Sequence, residues 1–284
     1  MRINALRFKL REARQQGSIG FVPTMGALHD GHLSLARKAR EECGTVVVSI
    51  FVNPTQFNDP ADLEKYPRTL ERDLELCAEA GVDLVFAPDA SEMYPEGFSS
   101  KVVVEGSLTR LLEGEFRPGH FDGVTTVVAK LFHIVQPDRA YFGEKDWQQL
   151  QVIRKMVSDL SLPVEVIGVP TMREEDGLAM SSRNVRLSPE ARKKAKVIPY
   201  LLTTAQDLLL SATPETKTDN GAVITHWLYT LLESSHPGTK VDYIAVVDPE
   251  TLTDVEEITD RALVAIALYM EGVRLIDNRI ITKR

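Results

Sequence analysis

The sequence predicts an α/β protein, a doubly wound parallel sheet followed by a smaller α+β domain, and three observations carry that reading. From residue 18 to residue 170, short apolar runs alternate with segments of helical periodicity, the pattern of strand-helix-strand units joined by right-handed crossovers. Several runs, TVVVSIFV (45–52) above all, are almost unbroken in apolar, β-branched residues, as strands are when helices cover both faces of their sheet. Beyond residue 184 the order changes to helices and then neighbouring strands, which marks a second unit of different build.

Taken in order, SIGFVPT (18–24) is the first strand, ended by Pro23, and HLSLARKAREE (32–42) is the helix after it. The strand 45–52 closes the first unit. PRTLERDLELCAEAG (67–81) reads as a helix with Pro67 in its first turn and Gly81 as its stop, followed by the strand VDLVFAP (82–88). Two more alternations follow: helix 123–135, strand 138–143, helix 146–160 and strand 163–170. In such sheets ligands bind beyond the carboxyl ends of the strands, so chemistry is sought just after them. The second domain has two helices, the first opened by Ser188 and Pro189 and expected to kink at Pro199, then strands over 241–247, 262–270 and 273–278. The expected domains are 1–176 and 177–284. Residues 211–221 read as a disordered-looking loop, and no internal repeat or low-complexity tract is visible.

Composition narrows the function. With 33 Lys and Arg against 41 Asp and Glu the formal charge is −8, so nucleic acid is a poor partner and any anion site must be local. Two isolated cysteines, Cys43 and Cys77, support neither a disulfide framework nor a Cys-ligated zinc. No run reaches the roughly 20 apolar residues that cross a bilayer, and the charge-interrupted N-terminus lacks a signal-peptide core. A cytoplasmic protein with no membrane partner is expected.

The candidate chemistry sits at strand ends. In GFVPTMGALHDGH (20–32), Gly26 and Gly31 clear side chains from a strand-to-helix turn, where phosphate can meet backbone N–H groups and the positive end of a helix. His29 and His32, three apart, can share one face and donate to phosphate oxygens, which suits a phosphoryl-transfer transition state. FGEKDWQQ (142–149) repeats the arrangement, with Gly143 admitting backbone approach, Lys145 a mobile cation and Asp146 placed to cap the helix. AMSSRN (179–184) groups Ser181, Ser182 and Arg183, hydroxyls and a guanidinium able to clamp a triphosphate. Asn53 and Gln56 in SIFVNPTQF, with Gln148 and Gln149, offer amides that bind hydroxyls and carboxylates without titrating. RPGHFDG (117–123) adds Arg117 and His120 in a loop of undefined role.

Five motifs in register, VPTMGALHDGH, IFVNPTQF, RPGHFDGV, GEKDWQQL and DGLAMSSRN, resemble the pantothenate synthetase family, the pantoate–β-alanine ligases. The His-x-Gly-His element alone would point only to the wider nucleotidylyltransferase superfamily, so the resemblance implies a Rossmann-like sheet of nucleotidylyltransferase type. It further implies an ATP-dependent ligase: the carboxylate of (R)-pantoate attacks the α-phosphate of ATP, and β-alanine then displaces AMP from the pantoyl adenylate. By the same resemblance, Met25, Gly26, His29 and His32 contact ATP, with His29, His32 and Lys145 catalytic. Gly143, Glu144, Lys145 and Asp146 bind ribose and phosphates, the backbone near Met172 reads adenine, and Met180, Ser181, Ser182 and Arg183 close over the triphosphate. Gln56 and Gln149 hold pantoate, with Asn53 nearby. Magnesium accompanies ATP, with Asp73 the candidate protein ligand; the second domain acts as a lid, and the chain forms a homodimer. Two rivals share the fold: a nucleotidylyltransferase that leaves AMP on a phosphate acceptor, and a non-catalytic ATP-binding regulator.

Overall fold

The computed structural model describes residues 1–58 and 60–283. Its chain divides into two compact units, Met1–Met172 and Arg173–Arg284. The break falls four residues before the expected 176/177 boundary, because Arg173 bridges to Ala179 and pairs with Asp277 of the second unit.

The first unit is a five-stranded parallel sheet of order β3-β2-β1-β4-β5, with β1 Ile19–Thr24, β2 Thr45–Ile50, β3 Leu84–Phe86, β4 Arg139–Gly143 and β5 Glu165–Val169. Helices α2 (Asp30–Glu42), α3 (Leu70–Glu79), α4 (His120–Val135) and α5 (Trp147–Asp159) are its crossovers. The doubly wound fold and both covered faces are as the sequence predicts. Alternate strand residues feed opposite cores: Phe21, Val47, Ala140 and Phe142 join one cluster with α4 and α5, while Val22, Val46, Val48 and Tyr141 join the other with α2.

Several boundaries differ from expectation. The sequence reading missed α1 (Ile3–Gln16), whose charged surface hides a narrow stripe of Leu6 and Leu10, both fully buried one turn apart. The helix expected from Pro67 begins at Leu70, and the one expected from Gly123 begins at His120. β3 is only three residues long, as an edge strand can be.

The chain order reverses between β1 and β4, the topological switch point where such sheets bind ligands. The two strands also part there. Register runs only through Gly20↔Arg139 and Phe21↔Ala140, whereas β1 stays paired with β2 to Thr24. Pro23 supplies the reason. Ile19 O accepts from Asp138 N on the β4 side and Thr24 O accepts from Phe51 N on the β2 side, so alternation turns the Pro23 backbone toward β4, where it has no N–H to donate.

The second unit packs helices α6 (Val197–Leu210) and α7 (Gly221–Ser235) on an antiparallel sheet of β6 Val241–Val247, β7 Arg261–Met270 and β8 Val273–Thr282. The expected first helix is two: a short helix Pro189–Lys194, capped by Ser188 Oγ, and then α6. Pro199 matches the position of the break between them, since its i−4 residue is Ala195, the C-cap of the short helix. It sits in the first turn of α6, where the N–H it lacks has no intrahelical acceptor. The loop expected over 211–221 is ordered by hydrogen bonds between Thr213 and Thr216 and ends at the α7 cap Asn220.

Candidate active site

A cavity of ≈ 160 Å³ lies beyond the carboxyl ends of β1 and β4, lined by Pro23, Thr24 and Phe142 from the strand ends and by His32, Gln56 and Gln149 from the elements that follow. Its largest continuous wall is apolar, built by Val124, Val127, Val128 and Leu131 of α4.

The β1–α2 loop is held in a tight, unusual path. Gly26 has φ +82°, and a Cβ there would stand 3.0 Å from both Asp73 Oδ2 and Ile50 Cγ2. Ala27 follows at φ +50°, left-handed for a residue with a side chain. Asp73 fixes this turn: its carboxylate accepts Ala27 N–H and Leu28 N–H, each at 2.9 Å, and Thr69 O–H at 3.1 Å. The residue is 1% exposed.

α2 starts at Asp30, two residues earlier than expected, because His29 is its N-cap, with Nδ1 accepting Gly31 N–H at 3.2 Å. Imidazole is not among the favoured caps, which is why the sequence concealed this boundary. Capping through Nδ1 fixes the neutral tautomer as Nε2–H. The His29 and His32 rings lie 4.1 Å apart, sharing a face as predicted. His32 Nδ1 is buried with no hydrogen-bond partner among the described residues. Burial above all, with the neighbouring His29 and Lys145 acting in the same direction, pulls the His32 pKa down to about 3, so its imidazole is neutral at pH 7.

Across the cavity the amides form a network. Asn53, 1% exposed, donates from Nδ2 to Gln56 Oε1 (3.1 Å) and Gly123 O (3.1 Å), while its Oδ1 accepts Tyr94 O–H (2.8 Å) and Thr55 O–H (3.0 Å). With Gln56 Oε1 engaged, its Nε2 donates to Met25 Sδ at 3.0 Å, and the residue lines the cavity. The adjacent glutamines part company. Gln149 lines the cavity, but Gln148 is buried, accepting Glu113 N–H (3.0 Å) and donating to Leu108 O and Leu111 O (2.8 Å each).

After β4, Gly143 leaves open space where a Cβ would project, and Glu144, Lys145 and Asp146 form a single 3₁₀ turn. Asp146 holds the N-cap position of α5 but makes no side-chain cap bond, contrary to expectation; it lines the cavity instead. Met172 is exposed at the end of the first unit. Met180, Ser181, Ser182 and Arg183 belong to the second unit, in a loop shaped by Asn184, which donates to Ala179 O (3.1 Å) and Glu174 Oε1 (2.8 Å), and by Arg183 N–H to Ser181 Oγ (3.2 Å).

A family model described as pantoate-beta-alanine ligase matches residues 1–280. The chain belongs to that family. It is 53% identical over 280 residues to the pantothenate synthetase of Moorella thermoacetica, covering 97% of this chain and 95% of the relative. The crystal structure of the Thermus thermophilus pantothenate synthetase superposes with a TM-score of 0.90 at 52% identity, covering 98% of this chain and 97% of that one. A pantoate-beta-alanine ligase from Francisella tularensis, solved complexed with beta-gamma ATP and beta-alanine, superposes at 0.79 with 36% identity, covering 98% and 95%.

For a member of the pantoate–β-alanine ligase family, one expected residue takes a different part. Asp73 accepts three donors and holds the β1–α2 loop, so in this conformation its carboxylate is engaged in shaping that turn. The described residues gather no group of three or more His, Cys, Asp or Glu side chains able to hold a metal. Tyr94, which orients Asn53, carried no motif and went unnoticed in the sequence.

Proposed function

We propose that this chain is an ATP-dependent ligase that condenses (R)-pantoate with β-alanine through a pantoyl adenylate, releasing AMP and pyrophosphate. The observation that carries the reading is the adjoining His29–His32 pair, rings 4.1 Å apart and tilted by 43°, beside an amide-lined, largely apolar cavity at the switch point. The cavity lining contains no Lys or Arg among the described residues, which disfavours a phosphate acceptor. A small carboxylate with a branched hydrocarbon body fits better: the α4 valines face its methyl groups, each buried CH₂-sized group contributing about 0.8 kcal/mol, and Gln56 and Gln149 meet its polar atoms.

The attacking carboxylate is ionised at pH 7, so the step needs position and charge stabilisation rather than a strong base. His29 Nε2–H and His32 would donate to the α-phosphate, whose charge grows in the transition state, and Lys145 would follow the charge onto pyrophosphate. Gln56 Nε2, its rotamer set by Asn53, would hold pantoate in line. Gly26, Met25, Gly143, Glu144, Asp146 and the Met172 backbone complete the nucleotide contacts in this reading, and Met180, Ser181, Ser182 and Arg183 bring hydroxyls and a guanidinium to the triphosphate as the second unit closes. Magnesium bound with the nucleotide would supply neutralisation of phosphate charge, and because it often keeps several waters and uses phosphate oxygens, few protein ligands would be needed. A homodimer in the cytoplasm belongs to the same reading on the strength of the family. No described helix is long and apolar enough to cross a membrane.

The test is pantoate-dependent exchange of labelled pyrophosphate into ATP without β-alanine. Exchange demonstrates a reversible adenylate; its absence, with no pantothenate formed on adding β-alanine, overturns the reading. Scattering profiles unchanged by ATP would overturn closure of the second unit.

A further inference from the structure

The RPGHFDG segment, the one motif above without a task, converges on a single peptide group. Gln56 O accepts His120 Nδ1–H at 2.8 Å and Arg117 Nη2–H at 3.3 Å. His120 Nε2 faces Arg117 Nη1 at 3.2 Å. Since a guanidinium can only donate, Nε2 must accept and Nδ1 must carry the proton, so Arg117 itself selects the tautomer that holds the Gln56 carbonyl. Glu113 in turn pairs with Arg117 at 3.4 Å.

Two further contacts join the same elements. Gly123 O accepts Asn53 Nδ2–H, from the amide that orients the Gln56 side chain. Gly123 also lies so near the Pro54–Gln56 turn that a Cβ would stand 2.5 Å from Thr55 O and 2.8 Å from Gln56 N; glycine is needed for close approach. The first turn of α4 therefore grips Gln56 by its carbonyl and, through Asn53, by its side chain, while later turns of the same helix supply Val124, Val127 and Val128 to the cavity wall. His120 is buried outside the cavity lining.

We propose that His120 is a positioning residue for the acid substrate: with Arg117 setting its tautomer, it locks the Gln56 backbone so that Gln56 Nε2 and the apolar wall of α4 keep one spacing, matched to a short branched hydroxy acid. The inference rests on the ligase reading above.

Two near-isosteric variants of the full chain separate this from a general structural role. In His120→Asn the amide nitrogen replaces Nδ1 as donor to Gln56 O; in His120→Gln the amide reaches only the Nε2 position and the carbonyl loses that bond. Pantoate-dependent pyrophosphate exchange is measured at varied pantoate and at varied ATP. Loss of one buried hydrogen bond should raise the pantoate KM of His120→Gln about tenfold, with ATP KM within about twofold and His120→Asn close to wild type. Equal pantoate KM in the two variants, or a parallel rise in ATP KM, overturns the proposal. Absent exchange in the wild type would overturn the ligase reading and this inference together, whereas wild-type exchange with an unaltered His120→Gln overturns the inference alone.

Discussion

Replacing Asp73 by Asn tests how the histidine pair is held. The carboxylate accepts backbone N–H groups on both oxygens, Ala27 on Oδ2 and Leu28 on Oδ1, and also Thr69 O–H. An asparagine keeps one acceptor but turns an NH₂ toward the other N–H. One hydrogen bond to a charged group is lost, about 1.5–3 kcal/mol, and a buried N–H is left unpaired. The loop also carries Ala27 at φ +50°, a conformation that costs about 1–3 kcal/mol and persists only while its surroundings enforce it. With the clamp weakened the turn should relax, and His29 and His32, two and five residues past Ala27, should move with it. A misplacement of about 1 Å at a reacting centre costs on the order of 10²-fold in rate. We expect Asp73→Asn to unfold at lower urea, by about 2 kcal/mol, and to lose about 10²-fold in pyrophosphate exchange, without rescue by excess magnesium or by manganese. Full activity, or recovery at high metal concentration, would refute the clamp and return Asp73 to the metal role.

The remaining predictions are these. His32→Ala should fold normally and lose 10²–10³-fold in exchange turnover, roughly the cost of one transition-state donor, read by stopped exchange assays against circular dichroism. Gln149→Ala should raise pantoate KM with little change in stability; Gln148→Ala, which removes one buried and two partly buried hydrogen bonds, should lower stability by about 2–4 kcal/mol, as measured in urea. Burial, with Arg117 alongside and against the pull of Glu113 and Asp146, holds the His120 pKa down at about 4, from 6.5. The unfolded chain then binds the extra proton between those values, so the native state loses stability as pH falls from 6.5 toward 4, by about 2 kcal/mol at pH 5. His32, lowered by burial, His29 and Lys145, acts in the same direction. The wild type should therefore lose more stability than His120→Asn between pH 7 and pH 5, and equal losses would contradict the assignment.

The sequence by itself determined the architecture of the first unit and where its chemistry lies. β-branched runs long enough to be buried on both faces, alternating with amphipathic segments, specify a parallel sheet, and that topology already directs ligands to strand carboxyl ends. His29 and His32 were legible because they stand at such an end with Gly31 between them, whereas Gln56 and Gln149 were singled out from the other amides only by the family resemblance. The tertiary structure decided what each side chain does there, since a role depends on partners distant in the chain. Gln148 and Gln149 are identical in type and adjacent, yet one stabilises a loop near residue 110 and the other faces the cavity. Asp73 is 46 residues from Ala27 and His120 is 64 from Gln56, and nothing local foretells either contact. His29 hid its cap because the rule for helix starts describes hydroxyl, amide and carboxylate side chains, not an imidazole. Local pattern fixes elements and their faces; the hydrogen bonds that orient a catalytic group form only when the sheet brings separate loops to one end.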